Sequence, residues 1–112
     1  RRVLFRSYLR QKMNKGSKVY MLMDDELPVA IISITGSLIE DLYVRPGCQQ
    51  KGYGTILLKS SLSKCYEPPV LWILENNSSA KRFYEKNGFS LTGKRKNITT
   101  GLDELEMVLM KA

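Results

Sequence analysis

The chain contains no histidine and only two cysteines, Cys48 and Cys65. Without imidazole, any general base must be a carboxylate, a tyrosine or a relayed water. Cys48 and Cys65 do not stand at a zinc spacing, so no metal site is expected. Two thiols make no disulfide framework, which points to a reducing cytoplasm with both thiols free. No apolar run approaches the roughly 20 residues of a membrane span, and no signal-peptide pattern opens the chain. The expected location is therefore the cytoplasm, with no membrane partner. Asn77-Ser78-Ser79 and Asn97-Ile98-Thr99 fit a glycosylation sequon, but without a secretory signal they read as chance.

Acid is also missing from the first part of the chain. Arg1, Arg2, Arg6, Arg10, Lys12, Lys15 and Lys18 precede the first acidic residue, and from residue 19 onward eleven basic residues balance eleven acidic ones. The net charge of +7 thus belongs to the N-terminal stretch. Such an arm could bind nucleic acid, but no interleaved aromatic platform accompanies it. A solvated face beside a polyanionic cofactor accounts for it better. At 112 residues the chain reads as one domain, 1–112, large enough to bury roughly two thirds of its unfolded surface.

What is present centres on residues 37–65. Ser37–Val44 alternates as a strand, and Arg45-Pro46-Gly47 stops it. Gln49-Gln50-Lys51-Gly52-Tyr53-Gly54 leads straight into a helix with Leu58, Leu62 and Cys65 on one face. The first N–H groups of a helix lack internal partners and carry partial positive charge, so a glycine-led helix start is an anion site. Gly52 and Gly54 have no Cβ to keep a phosphate away. A Walker A loop is excluded because Tyr53 stands where its lysine belongs. The dinucleotide fingerprint is excluded because Leu57 replaces its third glycine.

Around this stretch, Arg1–Asn14 reads as a helix capped by Gly16. Val19–Met23, Leu27–Thr35 and Ser37–Val44 read as an antiparallel meander. Val70–Leu74 is continuously apolar, as in a strand buried on both faces. Asn76–Ser79 supplies helix caps for a helix over Ala80–Asn87, closed by Gly88. Phe89–Thr92 and Glu104–Met110 read as a last hairpin across a polar loop around Gly93–Gly101.

A second block follows the Val70–Leu74 strand: Asn77-Ser-Ser-Ala80-Lys-Arg-Phe83-Tyr84-Glu-Lys-Asn-Gly88-Phe89. Ala80, Phe83, Tyr84 and Asn87 share a helical face. Taken with the Gln-x-x-Gly-x-Gly block, each after a strand and on a helix, it resembles the GNAT superfamily of N-acetyltransferases over roughly residues 19–110. That resemblance implies an α/β (α+β) fold: a mixed, mostly antiparallel sheet with flanking helices, its fourth and fifth family strands parallel and splayed apart. It implies acetyl-CoA as cosubstrate and an amine acceptor. The main-chain amides of Cys48, Gln49, Gln50, Lys51, Gly52, Tyr53, Gly54 and Thr55 should cradle the pyrophosphate. Leu42, Tyr43 and Val44 should pair with the pantetheine arm, and Asn77 and Ala80 should meet the cofactor. Tyr84 matches the usual general acid. Glu40, two residues before the pairing segment, is the candidate base, with Asp41 on the opposite side as the second choice.

The chemistry asks for the same groups. An amine of pKa about 10.4 must lose a proton before attacking a thioester, and a thiolate of pKa about 8.5 must take one as it leaves. A strand N–H near Leu42 or Tyr43 can meet the oxyanion. The chain also departs from the family. The usual leading strand and helix are missing, so it reads as N-terminally truncated, with an open acceptor cleft and Val19–Met23 as an exposed edge open to homodimerisation by strand addition. Gln49 stands where arginine is common. The leading reading is an acetyl-CoA-dependent N-acetyltransferase moving acetyl directly to a primary amine. Its rival is a non-catalytic acyl-CoA-binding module of the same fold.

Overall fold

The computed structural model describes residues 3–12 and 15–110, with side chains from residue 16 onward. It divides into two compact units, residues 1–66 and 67–112.

The first unit is an antiparallel meander with one helix. Strands β1 (Val3–Lys12), β2 (Lys15–Asp24), β3 (Leu27–Thr35) and β4 (Leu38–Val44) pair in chain order. The expected helix over Arg1–Asn14 is therefore corrected: Val3–Lys12 is a strand, and residues 1, 2, 13 and 14 lie outside the described residues. The arginines, lysines, leucines and glutamine of this stretch favour a helix by only tenths of a kcal/mol each, and a ten-residue ladder with β2 outweighs that. Gly16 is no helix cap. It pairs with Gln11 and is not among the positive-φ glycines. The expected exposed edge at Val19–Met23 is overturned as well, because β2 is paired with β1 on one side and β3 on the other.

Helix α1 (Tyr53–Leu62) packs on β2, β3 and β4. A hydrogen bond from Tyr53 to Asp24 marks the face it covers, the one carrying Tyr20, Leu22, Ala30, Ile32, Ile34 and Ile39. All of these are buried, as are Leu57 and Leu58 on the helix. The buried residues of α1 are Tyr53, Leu57, Leu58 and Ser61; Leu57 and Leu58 belong to the expected face, whereas Leu62 is half-buried and Cys65 lies past the helix end at Leu62. Buried Ser61 satisfies its hydroxyl by donating to the Leu57 carbonyl at 2.7 Å.

The second unit holds β5 (Val70–Leu74), α2 (Ser78–Lys86), β6 (Phe89–Thr99) and β7 (Leu102–Leu109). β7 pairs antiparallel with both β5 and β6. β5 keeps its expected bounds but is not buried on both faces: Leu71 and Ile73 are buried, Val70 and Trp72 half-buried, and Leu74 exposed. Lys96 covers the outer side, its ammonium 4.2 Å from the Trp72 ring centre. The expected loop around Gly93–Gly101 shrinks to Thr100-Gly101, since β6 runs on to Thr99. Its polar residues bond across the ribbon, with Thr92 donating to Glu106 and Asn97 to Asp103.

Candidate functional site

Two segments carry the residues that the motifs single out. The first joins β4 to α1. Arg45 donates its N–H to Val29 and its Nε to the Pro28 carbonyl, which fixes the exit of β4. A turn closes with Cys48 N–H on the Arg45 carbonyl at 3.0 Å. The Cys48 amide is thus engaged inside this turn. From Gly47 onward the chain changes hand repeatedly, with positive φ at Gly47 (86°), Gln50 (69°) and Gly52 (81°). Alternating left- and right-handed residues turn successive N–H groups inward and make a nest for an anion.

Gly52 is the N-cap of α1, and no side chain caps it. The first turn holds no acidic residue, and the first helical amide bond runs from Ile56 to the Gly52 carbonyl. No described backbone carbonyl takes the amides of Gly54 or Thr55 ahead of it. Gly54 and Thr55 belong to this first turn, and the Lys51 side chain just before it is exposed. Donors alone, a cation and the positive end of a helix suit a polyanion such as a diphosphate. At Gly52 the space around an added Cβ is open, so φ is what demands glycine there.

Upstream on β4, Leu42, Tyr43 and Val44 pair with Ile32, Ile31 and Ala30. The ladder slips between Ser33 and Ile34, which leaves Glu40 as the extra residue of a β-bulge. Its carboxylate accepts a hydrogen bond from Thr35 at 2.5 Å and one from Ser17 at 3.5 Å, and Ser17 and Thr35 touch each other at 2.9 Å. Asp41 stands opposite Ser33, on that same side of the sheet. The expectation that Asp41 faces away from Glu40 is therefore corrected: the bulge absorbs the usual alternation, and both acids are exposed on one face. The hydroxyls of Ser17 and Thr35 were not legible as site residues, since only the bulge brings Glu40 to them.

The second segment is α2. Asn77 is its N-cap, and its Oδ1 accepts the Ala80 N–H at 3.0 Å. Tyr84 lies one turn further along, half-buried, its ring edge-on to Phe83 at 5.1 Å and to Phe89 at 5.5 Å. Burial raises its phenol above the ordinary 10.0, so it stays protonated at neutral pH and able to donate. Gly88 closes the helix with φ 95°, as expected. Among the described residues no helix is long and apolar enough to cross a membrane.

The chain belongs to the GNAT acetyltransferase family: the acetyltransferase (GNAT) domain matches residues 3–111. Over 73 residues it is 32% identical to the peptidyl-lysine N-acetyltransferase YjaB of Salmonella typhimurium, a match covering 63% of this chain and 48% of that protein. The chain thus spans about half the length of that curated relative. The fold is shared with apo YjaB from Escherichia coli (TM-score 0.71, 23% identity, 84% of this chain and 65% of that one). It is shared too with a Bacillus anthracis chain solved in complex with acetyl coenzyme A (TM-score 0.76, 16% identity, 97% of this chain and 89% of that one).

Proposed function

We propose that the chain is an acetyl-CoA-dependent N-acetyltransferase acting on a primary amine in the cytoplasm. The observation that carries this reading is the open nest of amides from Gln49 to Gly52, joined to the uncapped start of α1 within a GNAT fold. Acetyl-CoA supplies an acyl group activated as a thioester. The nest and Lys51 hold its diphosphate, Leu42–Val44 offer a strand for its pantetheine arm, and the Asn77 side-chain amide, not needed for the helix cap, donates to the same arm.

Glu40 is the group that takes the proton from the ammonium of the acceptor. Its bonds from Thr35 and Ser17 hold the carboxylate in place at the bulge. Tyr84 returns a proton to the departing sulfur, and its raised pKa keeps that proton in place until transfer. Exposed Glu40 and Asp41 on one face favour a cationic acceptor. Similarity to a peptidyl-lysine acetyltransferase makes a lysine side chain the first acceptor to test.

The test is direct. Titration with acetyl-CoA should show saturable binding, and free thiol should appear when an amine panel containing lysyl peptides is added. Binding without turnover on any amine would leave only an acyl-CoA-binding module. Absence of binding would remove the proposal altogether.

A further inference from the structure

The structure assigns to Tyr53 and Asp24 a positioning role: together they aim the amide nest at its anion. This rests on the acetyl-CoA reading above and extends it to a side-chain pair outside the phosphate contacts. Tyr53 is the first residue of α1, immediately after the left-handed Gly52. Its ring is buried, 6% exposed, and its hydroxyl donates to Oδ2 of Asp24, itself only 5% exposed. Asp24 is the last residue of β2, just before the β2–β3 turn. The bond therefore ties the helix start to the end of a strand 29 residues earlier.

The need for such a tie follows from the rest of the helix. Leu57 and Leu58 anchor α1 by apolar burial, which is non-directional and tolerates small rotations and slides of a helix. The nest needs more than that, because N–H···O bonds weaken steeply with angle. No side chain caps the helix at Gly52, where a cap would fix its first turn but occupy a donor. A hydrogen bond made by the Tyr53 side chain sets the helix start while leaving the amides of Gly54 and Thr55 to a ligand. The buried carboxylate also explains why a residue in a polar-looking turn segment, Asp24-Asp25-Glu26, lies inside the protein.

The test compares two probes on the full chain by calorimetric titration: coenzyme A, which carries the diphosphate, and S-acetylpantetheine, which lacks it. Tyr53→Phe and Asp24→Ala should each weaken coenzyme A about tenfold and leave S-acetylpantetheine within twofold. The double variant should lose no more than either single one, and Asp24→Asn, which keeps an acceptor for the hydroxyl, should bind coenzyme A within threefold of the parent. Should Tyr53→Phe fail to fold, Asp24→Ala against Asp24→Asn makes the same comparison. Equal coenzyme A affinity in parent and variants would overturn the inference, as would equal losses on both probes. A parent chain that binds no coenzyme A would instead strike down the acetyltransferase reading on which it stands.

Discussion

Oδ1 of Asn77 accepts the Ala80 N–H at 3.0 Å, and this divides the side chain into a half that caps α2 and a half left to donate. The two halves can be removed separately. Asn77→Asp keeps an N-cap acceptor and loses the amide donor, so its stability should stay within about 0.5 kcal/mol while the KM for acetyl-CoA rises severalfold. Asn77→Ala loses both and should cost about 1 kcal/mol of stability as well. Urea unfolding set beside steady-state kinetics reads both quantities. A KM unchanged in Asn77→Asp would reduce Asn77 to a helix cap.

Tyr84→Phe should slow acetyl transfer by roughly 10²-fold, the low end of what a positioned acid contributes, while coenzyme A binding holds. A rate equal to the parent's would reject Tyr84 as the acid. The pH dependence has a definite sign. Burial raises the folded phenol above 10.0, so the fold keeps this proton where the unfolded chain releases it. The contribution is full below pH 10.0 and is lost as pH climbs through the folded value, so Tyr84→Phe should flatten the alkaline fall of stability.

Asp103 provides the opposite sign. Hydrogen bonds from Asn97 and Arg95 lower its carboxyl below the ordinary 3.8. Stability from this group is present above 3.8 and disappears as pH falls through the folded value. Asn97→Ala should move the Asp103 pKa back up, read by NMR titration of the side-chain carboxyl carbon. An unmoved titration would mean that the Asn97 bond is not formed in solution.

Gly52 and Gly88 should differ in how they tolerate alanine. Both have positive φ, 81° and 95°, but a Cβ at Gly52 meets open space whereas one at Gly88 comes within 2.9 Å of Leu109 Cδ1. Gly52→Ala should cost about 1 kcal/mol from backbone strain alone. Gly88→Ala should cost more, since the Leu109 side chain must also move. Denaturant midpoints of the two variants give the order, and a smaller loss at Gly88 would contradict it.

Much of this architecture can be read from the chain where local signals agree. Val70–Leu74 and Leu27–Thr35 were bounded by their own composition, and the cap candidates of Asn76–Ser79 together with Gly88 announced the ends of α2. The first strand was misread because its residue types suit a helix, and its strand state depends on a partner lying beyond a turn. The distal part of β6 was misread for a related reason: polar residues suggest a loop, yet here their side chains supply the cross-strand bonds. The site was legible where backbone conformation is written in glycines, at Gly52. It was not legible where a bulge decides which neighbours a side chain meets, as at Glu40, or where a carboxylate is drawn inside by a tyrosine 29 positions away, as at Asp24.

The β6–β7 ribbon has a consequence for how the molecule breathes. Of β6 only Phe89 is buried, and two extra residues around Gly93 interrupt the ladder before it resumes at Arg95. Past that break every β6 residue is exposed, and the hairpin is held by Arg95 bridging Glu75 and Asp103 at 2.7 and 3.0 Å, by Lys96 over the Trp72 ring and by Asn97. Amide deuteration should therefore advance from the Thr100-Gly101 tip toward Phe89, with a step in protection at Gly93, and rising salt should hasten the outer half while sparing the inner one.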